Sequence, residues 1–132
     1  MRHRETLSTH GRAAGLVGSG GAVGATARYA VELGVPSTLG ATFAANVAGC
    51  FLLGVLVAAD RPHGALTERA RLLVGTGFCS SFTTYSTFVL DLVRAAPTVA
   101  LGYLLASYGA GFLAVVLASY GVERAGATRG GS

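Results

Sequence analysis

The chain has 132 residues, of which 52% are hydrophobic and 12% charged, and its mean hydropathy is +0.56. A water-soluble domain carries roughly twice that share of charge, so the composition points to a membrane protein and away from a soluble enzyme. The net charge of +4 comes from arginine alone, placed in tails and between apolar runs, which suits loops that fix membrane orientation better than a nucleic-acid surface.

Four uncharged runs fill most of the length: Ala13–Ala27, Leu33–Ala59, Leu72–Leu90 and Ala95–Val122. A bilayer core takes about 20 apolar residues of helix, so the expected fold is an all-α membrane protein with four transmembrane helices. The expected domains are a polar, disordered cytoplasmic tail over 1–12, a four-helix domain over 13–122 and a disordered tail over 123–132. No length remains for a soluble catalytic domain. Four small helices enclose little on their own, so association with a second subunit is expected.

In chain order, Ala13–Ala27 ends in Ala25-Thr26-Ala27, which imitates a secretory cleavage site. Five glycines break the run and three further spans follow, so the expectation is a first span from about Ala13 to Leu33. Gly20 and Gly24 form a small-xxx-small pair that admits another backbone. Gly18 to Gly24 imitates a dinucleotide loop, but Val23 stands where the third glycine belongs and no strand precedes it. Arg28, near the span's end, is either an interfacial anchor or a cation that draws an anion into a vestibule.

Span 2 follows a Gly34–Thr38 turn and covers roughly Leu39–Ala59. Thr42, Asn46 and Gly49 share one helical face, with Ala41, Ala45 and Gly49 as a closely packing edge beside it. A primary amide in the membrane is costly unless paired, so Asn46 either bonds a neighbouring helix or lines a polar pathway. Cys50 and Cys79 fall inside spans without metal-ligand spacing and read as small buried hydrophobes. Asp60 to Arg71 is a charged loop with Pro62, His63 and Gly64.

Span 3 is the unusual one. From Ser80 to Ser86 every residue except Phe82 carries a hydroxyl, at the middle of the segment. Such a surface suits lipid poorly and suggests a helix broken at the midplane, where half-helix ends expose backbone groups for ions or substrates. Tyr85 and Phe88 are three residues apart, on one face, and ring edges can touch an anion without carrying a formal charge. Asp91 and Arg94 are expected to pair on the surface. Span 4, about Thr98–Val122, offers Gly102, Ala106, Ala110 and Ala114 as a flat contact face, with Tyr103, Ser107 and Gly111 in a parallel stripe.

His3, His10 and His63 lie in tails or loops, and no carboxylate pair falls inside a span, so no catalytic constellation is expected. Hydroxyl and amide donors without buried carboxylates favour an anion over a cation.

Three segments, Gly21-Ala-Val-Gly-Ala-Thr-Ala-Arg28-Tyr29, Ala41-Thr-Phe-Ala-Ala-Asn46-Val-Ala-Gly49 and Gly77-Phe-Cys-Ser-Ser-Phe-Thr-Thr-Tyr-Ser-Thr-Phe88, resemble the signatures of the Fluc/CrcB fluoride channels. The resemblance spans about residues 15–122 and implies passive fluoride export, through antiparallel dimers with two pores and a central sodium ion. It implies a fluoride path along Asn46, Tyr85 and Phe88, with Thr42, Thr84, Ser86, Tyr103 and Ser107 beside it and Arg28 at the vestibule. Sodium would be held by the backbone carbonyls of Ser80 and Thr83. The expected location is the cell (inner) membrane, with the lipid bilayer, fluoride and a second subunit as partners and no nucleic acid.

Two positions depart from the family pattern. Serines 80 and 81 stand where glycine is usual, which bears on the shape of the break. Tyr85 stands where phenylalanine is usual, and its hydroxyl changes the aromatic contact. With both termini on one side, Arg2, Arg4, Arg12, Arg61, Arg69, Arg71, Arg124 and Arg129 share that side, against Arg28 and Arg94 opposite. That bias implies cytoplasmic termini and a heterodimer with an oppositely oriented relative. A non-conducting or half-conducting partner subunit is the alternative, followed by a small multidrug-type transporter, which would need a membrane-embedded glutamate.

Overall fold

The computed structural model describes the backbone over residues 2–60 and 66–129, and side chains over 10–60 and 66–127. The loop residues Arg61, Pro62, His63 and Gly64 lie outside the described residues, as do the side chains of His3, Arg2, Arg4 and Arg129. The described backbone is all-helical: α1 (Arg2–Gly34), α2 (Thr38–Asp60), the single turn α3 (Glu68–Ala70), a π-helical stretch (Arg71–Cys79), α4 (Ser80–Phe82), α5 (Tyr85–Arg94) and α6 (Pro97–Arg129).

Among the described residues, two helices are long and apolar enough to cross a membrane by themselves, Thr38–Asp60 and Pro97–Ala127. The other two expected spans are differently made: α1 is rich in glycine, and the third is assembled from short pieces. Both expected tails are helical where described, since α1 begins at Arg2 and α6 runs to Arg129. The physical reason is that neither stretch contains proline, and extending an existing helix costs far less than starting one.

The helices start and stop where the letters allow. Ser37 caps α2 by accepting from the Gly40 amide at 3.1 Å. Thr67 does the same for α3 through the Ala70 amide at 3.2 Å. Asp60, at the end of α2, accepts from the Leu66 amide at 3.3 Å and pairs with Arg71 at 3.2 Å, tying α2 to the start of the π-helical stretch. Pro97 opens α6, a position that needs no amide hydrogen.

Packing falls into two pairs. α2 lies along α6, and α1 lies along the π-helical stretch and α4. Glycine makes the second contact possible: a Cβ on Gly20 or Gly24 would strike the backbone of Leu73 or Phe78, and one on Gly77 would come within 2.6 Å of the Val17 carbonyl. The Gly20/Gly24 pair thus admits a backbone, as its spacing indicates. In the α2–α6 pair, a Cβ on Gly54 would stand 3.0 Å from that of Ala118.

The inside is built of small residues such as Ala41, Ala45, Ala58, Ala114 and Ala118, while Val93 (77% exposed), Phe112 (71%) and Leu33 (71%) point outward. Water would reverse that order, since large apolar side chains gain most from burial. A lipid surroundings removes the penalty and leaves close backbone packing to hold the helices.

On α6 the stripe buried within the chain is Tyr103, Gly111, Ala114 and Ala118 with Ser107 half-buried; of the expected contact face, Ala114 is buried and Ala110 half-buried, whereas Gly102 and Ala106 are exposed. Both stripes carry small residues. Cys50 Sγ on α2 settles against Gly111, where an added Cβ would be 3.4 Å away, and this contact turns the Gly111 side inward.

Candidate functional site

Between α4 and α5 the chain leaves helical geometry for two residues. Thr83 (φ −81°, ψ 157°) and Thr84 (φ −144°, ψ 118°) are extended, so the helix ends on either side expose backbone groups. Side chains take those groups up. Asn46 on α2 donates from Nδ2 to the Thr84 carbonyl at 3.1 Å and accepts from the Thr84 amide at Oδ1 at 2.8 Å. One amide side chain therefore replaces both halves of a missing backbone pair. Thr84 is also the N-cap of α5: its Oγ1 accepts from the Thr87 amide at 3.3 Å and donates to Thr87 Oγ1 at 3.0 Å.

The hydroxyl run upstream is turned back on its own helix. Ser80 Oγ donates to the carbonyls of Thr76 and Gly77, and Thr83 Oγ1 to the Cys79 carbonyl at 2.9 Å. These bonds fill carbonyls at the end of the π-helical stretch, so the hydroxyls cost little in an apolar setting.

Beside the extended pair lies a cavity of about 580 Å³, open on one side. Asn46, Ser80, Thr83, Thr84, Tyr85, Phe88 and Ser107 are among the residues that line it. Thr42 and Tyr103 are not on its wall. Both are buried behind Phe88, whose ring is 5.2 Å from that of Tyr103. Ser86 is exposed at the start of α5, with its hydroxyl 3.4 Å from Thr84 Oγ1. Arg28 is away from the cavity on α1, where its Nε stands 3.6 Å from Glu32.

Asp91 requires a correction. Its side chain is 5% exposed and turned toward Tyr103, and it does not pair with the exposed Arg94. The reason is helical phase: Asp91 follows Phe88 by three residues and shares its inward face, whereas Arg94 ends α5. One carboxylate is therefore buried just past the third apolar run, although no carboxylate pair falls inside a span. The Tyr103 hydroxyl lies beside those of Thr42 and Ser107. Among the described residues, the Tyr103 and Ser107 hydroxyls, Asp91 Oδ2 and, on α1, Arg28 Nε are buried without a hydrogen bond of proper geometry. Behind Phe88 there is thus a column of hydrogen-bonding groups with capacity to spare.

Sequence reasoning passed over several further wall residues, Cys50 and Tyr108 among them. Cys50 lines the cavity, and its place four residues after Asn46 was the available signal. Tyr108 also lines it, and no spacing rule marks that position.

Taken together, these features define a small all-helical membrane protein with a hydrogen-bonding, aromatic-walled cavity beside two extended residues. Residues 15–119 match the family described as "CrcB-like protein, Camphor Resistance (CrcB)", and the chain belongs to that family. It is 43% identical over 108 residues to a fluoride-specific ion channel of Natronomonas pharaonis, covering 81% of this chain and 91% of that relative. A fluoride-specific ion channel of Rhodococcus jostii is 45% identical over 111 residues, covering 77% and 91%. A third, from Halobacterium salinarum, is 40% identical over 112 residues, covering 84% and 87%. The likeness of the three sequence signatures to this family is thereby established.

Proposed function

We propose that the chain is a fluoride channel subunit that lets the ion leave the cytoplasm passively. The observation that carries this reading is the meeting of the Asn46–Thr84 clamp with Phe88 and Ser107 on one cavity wall, in a chain whose relatives are named fluoride-specific ion channels. Fluoride holds its water tightly, so a passage must replace water with short hydrogen bonds. Asn46 keeps a second Nδ2 hydrogen beyond the one given to Thr84, and the hydroxyls of Ser107 and Tyr103 are uncommitted. Phe88 offers a ring edge, which carries the positive end of the quadrupole. Thr84 and Ser86 stand at the N-terminus of α5, whose dipole favours an anion. Arg28 is the vestibule cation, partly balanced by Glu32.

In this reading Thr83 and Thr84 lie at the bilayer midplane and divide the third span. The Ser80 and Thr83 carbonyls fit a sodium ion. In an unbroken helix they would accept from the Thr84 and Thr87 amides, which donate instead to Asn46 and to Thr84 Oγ1. Neutral oxygens suit a hard cation, and bound there it would offset the carbonyl dipoles at the end of α4. A second, oppositely oriented subunit would cover the open side of the cavity, where Tyr85 is 75% exposed.

The arginine distribution favours a partner that is a related chain over a second copy, with the termini of this subunit in the cytoplasm of a cell whose inner membrane holds both. A reporter fused to the C-terminus is expected on the cytoplasmic side only. Equal populations on both sides would restore the homodimer.

The decisive test is flux. Fast fluoride release from fluoride-loaded liposomes holding the purified chain alone with valinomycin, with no chloride release when chloride replaces it, would establish a self-sufficient fluoride channel and overturn the related-chain partner. If the chain alone is silent and an oppositely oriented relative restores release, the protein is an obligate partner subunit. Silence in both cases would remove the channel reading.

A further inference from the structure

Phe88 is held among three tyrosines. The ring centroid of Tyr85 is 6.4 Å away with planes at 36°, that of Tyr103 is 5.2 Å away at 40°, and that of Tyr108 is 6.2 Å away at 78°. Tyr108 alone approaches near edge-to-face. It follows Ser107 on α6 and lines the same cavity as Phe88, whereas Tyr103 lies behind. Phe88 is 6% exposed and Tyr108 52%.

We propose that Tyr108 is a positioning residue for the anion path: its ring fixes the tilt of Phe88 from the cavity side. The inference rests on the fluoride-channel reading. Rotation of a phenyl ring about its last bond is broad and two-fold, so its neighbours decide the tilt. Tyr103 packs on Phe88 away from the cavity wall, and on that wall Tyr108 meets it near edge-on while Tyr85 lies more nearly parallel. The tilt has a chemical consequence, because a ring presents a positive edge or a negative face. Turning Phe88 toward its face would replace an attractive contact with a repulsive one for any anion in the cavity. The contact is made by the Tyr108 ring, so phenylalanine should serve there and an aliphatic residue should not.

The test compares Y108F, Y108L and Y108M in fluoride-loaded liposomes, reading both the efflux rate and the fluoride-to-chloride permeability ratio. Y108F should stay near the unaltered chain. Y108L and Y108M should each lose about three- to tenfold in efflux, the effect expected from one lost aromatic pair, and the permeability ratio should fall with it. Unchanged efflux and ratio in both aliphatic variants would overturn the proposal, and so would an equal loss in Y108F, which would assign the effect to the hydroxyl. Ring-flip rates of isotope-labelled Phe88 in detergent give a readout independent of flux. They should rise in Y108L and Y108M and stay slow in Y108F, and a rate indifferent to all three substitutions would end the positioning role. Silence of the unaltered chain in the vesicles, both alone and with an oppositely oriented relative, would strike the channel reading alone, leaving the ring-flip measurement to decide the role of Tyr108.

Discussion

α6 and the run from Glu68 to Arg94 handle the same requirement in opposite ways. In a bilayer every backbone amide and carbonyl needs a partner within the protein. α6 meets this by staying helical over 33 residues, so its side chains are free to be apolar outside and small inside. The other run is assembled from four helical pieces and leaves backbone groups open between them. There Thr67, Ser80, Thr83, Thr84 and Asn46 all bond to backbone. The polarity of the candidate site follows from this difference: costly side chains gather where the helix gives up its own bonds.

The strongest way to break that contrast is Asn46→Leu. It strands the Thr84 amide and carbonyl, each worth about 1–3 kcal/mol when buried without a partner. We expect a clear loss of stability in detergent and no fluoride efflux. A variant as stable as the unaltered chain would mean that the amide does not hold the extended pair. Next comes Gly24→Leu, which drives a side chain into the Phe78 backbone and should cost about 1–3 kcal/mol, read from thermal unfolding. Thr84→Val keeps the shape but removes the cap of α5, for about 1 kcal/mol in the same assay. The smallest effect belongs to α6, where Gly102→Ala meets open space and should gain up to about 1 kcal/mol. A loss at Gly102 would show that another chain packs on that face in the membrane.

Much of this was legible in the letters, and the failures have physical causes. Asn46 stood out because an unpaired amide in a membrane is expensive, and the Gly20/Gly24 spacing announced a backbone contact. The partner of Asn46 was not legible, because it is backbone and no residue type encodes which amide a helix has released. Two stripes on α6 both carry small residues, and which one is buried depends on neighbours the letters do not name: Cys50 at Gly111, Gly54 at Ala118 and Phe88 at Tyr103. Asp91, at the end of an apolar run, has the position of a surface residue, and only its spacing from Phe88 points inward. The helical tails were missed because polar composition was read as disorder where nothing stops a helix.

The π-helical stretch, Arg71–Cys79, bears on how this chain can change length. Its bonds reach five residues back where an α-helix reaches four, so it stores extra residues without a visible loop. One residue advances an α-helix by about 100°. Nine residues wound this loosely turn through about the angle that eight cover in an α-helix, so the stretch absorbs one residue while Phe82, Thr84 and Phe88 keep their facing. Deleting one residue within it, at Gly75 for example, should let it relax to α-helix with that facing kept, whereas a deletion at the regular start of α5 would swing every later residue of the helix round by about 100°. The stretch is therefore a place where the chain tolerates a one-residue change in length without disturbing the angular phase of the site.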